Sequence, residues 1–177
     1  MQFARRRQAG FTLIEVMIVV AILAILTMVA VPMFFSESRR AKSNAEVPPM
    51  FNDLRMRIEQ YRQENGVYPV SLGEGTTWPT APSSSLQPLL PMPQAWTDLK
   101  VRPSGGSSVY CGYTWVTGLA NDASNIGTQA AAMGFVVPPT DWYYLLAHCD
   151  LDDSPTLDGY YLSSSVDPTI VKVNEGH

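Results

Sequence analysis

The amino-acid sequence predicts an α+β protein in which one long N-terminal α-helix packs on a C-terminal antiparallel β-sheet of about four strands. An apolar run at 11–35 continues into 36–66, where apolar residues recur at helical spacing. After residue 103 the pattern changes to short runs rich in aromatic and β-branched residues, which are typical of strands. The amphipathic helix alone could not fold in water, so we expect its apolar face to cover the sheet.

The chain begins with a short basic leader, residues 1–10, which ends at Gly10. Three arginines at 5–7 precede the apolar run, and no Ala-x-Ala site closely follows it, as one would in an ordinary secretory signal. The run at 11–35 is long enough to cross a hydrocarbon core of roughly 30 Å. The positive-inside rule then predicts a cytoplasmic N-terminus and a periplasmic C-terminal part.

Glu15 is the one charged residue between Gly10 and Leu26. A carboxylate in hydrocarbon costs roughly 2.5–3.5 kcal/mol on insertion scales, so such a residue is a candidate functional site whose partner must be sought. A plain single-span anchor has the same hydropathy but gains nothing from a buried carboxylate. Glu15 therefore argues against a simple anchor.

The sequence GFTLIE at 10–15, followed by an apolar helix, closely resembles the N-terminus of type IV pilins and type II secretion pseudopilins. The resemblance covers about the first third of the chain. It implies that a membrane-embedded prepilin peptidase removes the leader between Gly10 and Phe11 and N-methylates Phe11. It also implies that Glu15 pairs with the α-amino group of Phe11 on a neighbouring subunit in a filament, since a buried charge is tolerated when it is paired.

Pro32 lies late in the same helix, where its missing N–H should kink or locally melt the helix. Members of the family carry a proline at the matching place, which implies a role in assembly. A passive kink, which membrane helices tolerate, is compatible with the same residue.

The segment 36–66 is predicted to be an amphipathic stalk helix. Its apolar face comprises residues at steps of three and four: Val47, Met50, Phe51, Leu54, Ile58 and Tyr61. Pro48 and Pro49 interrupt this face and predict a break near 48–49. Gly66 is a plausible C-cap.

Residues 67–103 are dense in Pro, Ser, Thr and Gly, which predicts a connecting loop that lies against the domain or contacts neighbouring subunits. Residues 104–177 are predicted to form the antiparallel sheet, with a disulfide-bounded loop. The strand-like runs lie at 99–101, 109–117, 141–149, 159–163 and 169–173.

Cys111 and Cys149 are the only two cysteines. Disulfides persist in the periplasm, and two cysteines permit a single connectivity, so we predict a Cys111–Cys149 bond. Two unpaired buried thiols are the alternative. Many type IV pilins carry a late cysteine pair, whereas the main type II pseudopilins generally lack one.

The acidic stretch at 150–159 resembles the oxygen-rich loops that hold Ca²⁺. Its candidate ligands are Asp150, Asp152, Asp153 and Asp158. Some members of the resembling family bind calcium in a late loop of this kind. The spacing is not that of an EF-hand, and a solvated acidic turn is the simpler interpretation.

The net charge of −4 argues against nucleic acid as a default partner, because phosphate binding needs clustered Lys and Arg. The sequence contains no nucleophile elbow, phosphate loop or zinc motif. His148 and Cys149 would point to opposite faces of a strand and could not easily form a catalytic dyad. We therefore expect a protein that is not an enzyme, with no cofactor apart from the calcium considered above.

The function that the resemblance implies is a structural subunit of a type IV pilus, assembled with identical or related pilin subunits by an inner-membrane platform. The alternatives are a pseudopilin of a type II secretion system and a membrane-tethered adhesion or binding domain. The cysteine pair, the long loop and the size of the C-terminal domain favour the pilus. The expected location is the inner membrane before assembly, and then a cell-surface filament or a periplasmic pseudopilus.

Overall fold

A computed structural model describes residues 10–101 and 106–177. Residues 1–9 of the predicted leader, and residues 102–105 at the end of the predicted loop, lie outside the described residues. The helices and strands, in chain order, are α1 (Leu13–Asn65), β1 (Gln87–Pro88), α2 (Gln94–Asp98), β2 (Ser108–Val109), β3 (Gly112–Gly118), α3 (Thr128–Ala132), β4 (Trp142–Cys149), β5 (Gly159–Ser164) and β6 (Val171–Val173).

The chain divides into two compact units, with the boundary between Ser36 and Glu37. The first unit is the apolar part of α1, whose side chains are exposed from Leu13 to Phe35. The helix is apolar and long enough to cross a membrane, and its most apolar window is entirely unburied.

The second unit contains a four-stranded antiparallel sheet in the order β3-β4-β5-β6. All neighbouring strands in it are consecutive in the chain, so the sheet is a simple meander. A separate two-stranded ribbon pairs β1 with β2. The predicted fold class, with one long helix and a sheet of four strands, is confirmed.

The two faces of the sheet bury different sets of residues, as the strand alternation requires. On β4, Tyr143, Leu145 and Ala147 join the core that the C-terminal half of α1 covers. Trp142 and Tyr144 face the other way, into a smaller core formed with α3 and the rest of the β3–β4 connection. The aromatic residues of this strand are therefore core residues on both faces.

The predicted helix break near 48–49 is wrong, because α1 continues through Pro48 and Pro49. A proline in a helix interior costs about 3 kcal/mol. Burying one large apolar side chain contributes about 1.5–3 kcal/mol, and Val47, Met50 and Phe51 flank the prolines on the buried face. The free energy gained by packing these side chains on the sheet is therefore large enough to offset the cost of the prolines in the helix.

The predicted strand at 99–101 is also wrong. The chain here leaves α2 in a tight turn, in which Lys100 adopts a positive φ of 54° and the N–H of Val101 donates to the carbonyl of Trp96. The Trp96 side chain is fully buried and packs against Trp115, with ring centroids 5.5 Å apart. Burial of this indole fixes the segment as part of the core.

The connection at 67–101 lies against the domain itself. The N–H of Leu72 donates to the carbonyl of Trp115, and Trp78 forms a β-bridge with Tyr113. This segment thus covers the edge of β3 that faces away from β4. Its buried side chains include Leu89 as well as Trp96.

Candidate assembly site

The N-terminus of α1 is set by Thr12. Its Oγ1 accepts the N–H of Glu15 at 3.3 Å, and its carbonyl accepts the N–H of Val16. Thr12 is thus the N-cap of the helix, and its spacing from Glu15 is that of a capping box. Thr12 is not among the site residues predicted above, although the pattern T-x-x-E before an apolar run is the signal that identifies it.

The residues on either side of the predicted cleavage site are open to solvent. Gly10 is exposed and Phe11 is 83% exposed, and both precede the first helical residue. A bond in this position lies outside the hydrogen-bonded helix, which favours access by a peptidase. Cleavage there and N-methylation of Phe11 stay predictions.

The Glu15 carboxylate is exposed on a helix whose other side chains nearby are apolar. Among the described residues it has no hydrogen-bond or ion-pair partner. Its own backbone is satisfied through Thr12, so the side chain is free to engage another chain. A single subunit therefore supplies the carboxylate of the predicted Glu15–Phe11 ion pair, and the amino group would have to come from another subunit.

The helix is unbroken at Pro32, so local melting does not occur there. A proline removes one N–H donor, and the bonds on either side allow the helix to continue. A kink at Pro32, and a role for it in assembly, stay predictions.

The predicted Cys111–Cys149 disulfide is present and fully buried. The two residues lie opposite each other one position beyond the Gly112–His148 pair of β3 and β4, with Cα atoms 4.3 Å apart. The bond therefore joins neighbouring strands and encloses the β3–β4 connection. His148 instead stacks on Tyr160 and lies 2.8 Å from Asp158, so it takes no part in thiol chemistry.

The four aspartates of the predicted calcium loop each bond to a different partner. Asp158 contacts His148, Asp152 Oδ2 lies 2.9 Å from His177 Nδ1, Asp153 accepts the N–H of Ser84, and Asp150 accepts the N–H of Ser154.

No metal-holding group of three or more His, Cys, Asp or Glu side chains is present in the part of the chain that the structure describes. Burial, and then the nearby charge of Asp158, raise the pKa of Asp150. At least one oxygen of each aspartate is directed at a separate partner, Asp152 Oδ1 has no hydrogen-bond partner among the described residues, and the four carboxylates do not form a calcium site. Calcium binding stays a prediction.

Comparison with known proteins places the N-terminal segment in a class. The family model for the prokaryotic N-terminal methylation motif matches residues 5–31, which include Gly10, Phe11 and Glu15. The N-terminal segment is therefore of the kind shared by type IV pilins and type II secretion pseudopilins. The resemblance of the N-terminal segment to this class, which the sequence predicts, is confirmed.

The chain is also similar to individual curated proteins. The chain is 34% identical over 80 residues to type II secretion system core protein G of Dickeya chrysanthemi, which is 44% of this chain and 52% of the relative. The same-named proteins of Aeromonas hydrophila and Vibrio cholerae serotype O1 are 36% identical over 67 residues and 38% identical over 66 residues. These matches cover 38% and 37% of this chain, and 46% and 44% of those relatives. The chain thus spans about half the length of the curated relatives it matches. No solved structure matches it.

Proposed function

We propose that this chain is a pseudopilin, a subunit that assembles through its N-terminal helix into a periplasmic filament of a type II secretion system. The choice of secretion over a pilus is supported by the relatives, which are named core protein G of that system. The sequence alone favours the pilus, whereas the relatives give better support to its alternative, the secretion pseudopilin.

The observation that supports assembly is the open carboxylate of Glu15. The helix around it exposes an apolar surface on all sides from Leu13 to Phe35, which requires lipid or other apolar helices to cover it. When neighbouring helices replace lipid, Glu15 needs a cation beside it. Removal of the leader before Phe11 would supply one on each neighbouring subunit, as a new α-amino group.

The features that favoured a pilus have roles within the domain itself. The long connection covers the edge of β3 and supplies Trp96 to the core. The disulfide ties β3 to β4. Neither feature needs a surface filament to explain it, so neither outweighs the relatives.

The partners we propose are related pseudopilin subunits, a prepilin peptidase and an inner-membrane assembly platform. The precursor would be stored in the inner membrane with the sheet domain in the periplasm.

Mass spectrometry of the mature protein should find a first residue of N-methyl-Phe11, and Gly10→Leu should leave the precursor uncleaved in the membrane. A mature chain that begins at Met1 would contradict this processing.

Deletion of the gene in its host, followed by an assay of secreted enzymes and of surface motility, tests the function. We expect exported enzymes to accumulate in the periplasm while motility is unchanged, and re-expression of the chain to restore secretion. Loss of motility with normal secretion would instead favour the pilus. Loss of surface attachment alone would favour a membrane-tethered adhesion domain.

A further inference from the structure

One end of the globular unit is basic. Arg39, Arg40 and Lys42 lie at the start of its part of α1, and Lys172 on β6 reaches the same place. The Nζ of Lys172 bonds to Oδ1 of Asn44 on α1, which joins β6 to the helix. We call these four basic residues the basic end.

The C-terminal residues hold the two arginines in place through their Nε atoms. Arg39 Nε donates to the carbonyl of Gly176 at 2.8 Å, and Arg40 Nε donates to the carbonyl of Glu175 at 3.4 Å. The Nη groups of both arginines have no partner among the described residues. Each guanidinium is therefore positioned but keeps a free pair of donors, the geometry that binds phosphate oxygens in a bidentate manner.

The helix lysine of the basic end is positioned in a different way. The Nζ of Lys42 lies 4.6 Å from the centre of the Tyr110 ring, in a cation–π contact. Within residues 10–101 and 106–177, Arg39, Arg40 and Lys42 have no carboxylate within ion-pair distance, although Arg40 is near enough to Glu175 for its charge to help lower the pKa of that carboxyl group. Lys172 differs from them, because it lies 2.8 Å from Glu175 and its bond lowers the pKa of that carboxyl group.

The charge of the rest of the domain has the opposite sign. The basic end has four basic side chains and two carboxylates, Glu37 and Glu175, in its sequence segments 36–44 and 172–177. Residues 45–171 have five basic side chains and thirteen carboxylates. An anionic surface would therefore attract the basic end and repel the remainder of the domain.

The position of the basic end in the sequence indicates which anionic surface it meets. Arg39 follows Phe35, the last residue of the apolar run, by four residues, which is about one helical turn. When the run spans a bilayer, basic residues one turn further along the chain are at the depth of the lipid headgroups. We propose that the basic end binds the phosphates of anionic phospholipids while the chain is stored in the membrane.

Lipid selectivity of the full processed chain in a bilayer tests this proposal. The chain would be reconstituted in phosphatidylcholine with a trace of spin-labelled phosphatidylglycerol or spin-labelled phosphatidylcholine, and electron spin resonance would measure the association of each. We expect a severalfold preference for phosphatidylglycerol at low salt, because its headgroup has a net negative charge whereas that of phosphatidylcholine has none. The preference should fall in 0.5 M NaCl because exposed charges are screened.

Variants distinguish lipid binding at the basic end from a nonspecific effect of positive charge on the domain. Arg40→Gln with Lys42→Gln should remove most of the preference and leave the Arg39–Gly176 bond intact, whereas Arg40→Lys should keep much of it. Lys100→Gln, which removes one exposed positive charge elsewhere, is the matched control and should change nothing. An unselective parent chain, or an equal loss in the Lys100→Gln variant, would overturn the proposal. The proposal rests only on the membrane-anchored stage of the proposed function, so its failure would leave the secretion assay unaffected.

Discussion

The Oε1 atom of Glu46 accepts the backbone N–H of Cys111 at 2.9 Å, which ties the stalk helix directly to the disulfide-bonded end of the sheet. The same carboxylate accepts the N–H of Tyr110 at 2.8 Å and the hydroxyl of Tyr113 at 2.8 Å. Three donors, from β3 and the two residues just before it, thus converge on one side chain of α1. The sheet and the helix are joined here by polar contacts as well as by the apolar core.

Glu46→Gln should destabilise the domain by about 2 kcal/mol. The amide can accept through one oxygen only and turns an NH₂ group towards donors, so at least one charge-assisted bond is lost. Urea unfolding of the full chain in detergent, followed by near-ultraviolet circular dichroism, would measure the loss. Glu37→Gln is the matched control, because that residue is exposed and on the same helix. A change equal to that of the control would contradict the role of Glu46.

Alkaline pH should destabilise the domain through its buried tyrosines. Burial, followed by the nearby charge of Glu46, raises the pKa of Tyr113 well above its usual value of 10. Burial also raises the pKa values of Tyr143 and Tyr144. Above pH 10 the unfolded chain releases these protons while the folded chain retains them, so stability present below pH 10 is lost as the pH rises.

Urea midpoints between pH 8 and pH 11.5 would measure this loss of stability. Tyr113→Phe should show a smaller decrease across this range than the parent chain, because one ionisation is removed from the unfolded state. An identical pH dependence of the two proteins would show that Tyr113 does not contribute.

Removal of the disulfide should lower the free energy of unfolding by about 4 kcal/mol on the chain-entropy model for its sequence separation of 38. The test is Cys111→Ser with Cys149→Ser, unfolded in urea with and without reductant. Reductant should destabilise the parent chain and have no effect on the double variant. Free thiols in protein isolated from the periplasm under non-reducing conditions would contradict the assignment.

The sequence predicted those elements in which local pattern and tertiary packing agree. Gly66 was expected to end the helix, and it follows the last helical residue, Asn65, with a φ of 77°. The alternation of Tyr143 and Tyr144 between two faces followed from the strand period alone. Glu15 was identified because a charge in an apolar run stands out in any window of the sequence.

The remaining features depend on contacts distant in sequence. Pro48 and Pro49 indicate a break when read locally, and only packing on the sheet keeps the helix continuous there. Trp96 lies in a stretch with no apolar periodicity, so nothing in its neighbours marked it as a core residue. The partners of the loop aspartates, such as His177 for Asp152, come from distant parts of the chain and could not be read from the acidic run.

Calcium binding at 150–159 stays a prediction, and the structure defines what it would require. Asp152 and Asp158 each have one oxygen beside a histidine, so a cation would have to bind their second oxygens or displace His177 and His148. Binding at a calcium concentration of 100 times the dissociation constant would stabilise the domain by about 2.7 kcal/mol. Melting temperatures in Ca²⁺ and in chelator, for the parent chain and for Asp150→Asn, would reveal it. Equal temperatures in both solutions would leave the loop as a hydrogen-bonded acidic turn.

The most direct test of the central claim is the incorporation of Glu15→Gln into filaments. Gln has nearly the same shape as Glu but no charge, so it should insert into the membrane at least as readily and leave cleavage after Gly10 intact. It cannot form an ion pair with the amino group of Phe11, so incorporation should fall sharply. Thr27→Val, a substitution within the same exposed apolar part of α1, is the control and should assemble normally.

Electron microscopy of filaments, together with blots of the membrane fraction, would separate assembly from expression and insertion. The account predicts abundant processed Glu15→Gln subunits in the membrane and few in filaments. Equal incorporation of Glu15→Gln and the parent chain would contradict it and leave a simple membrane anchor as the better explanation of the N-terminal helix.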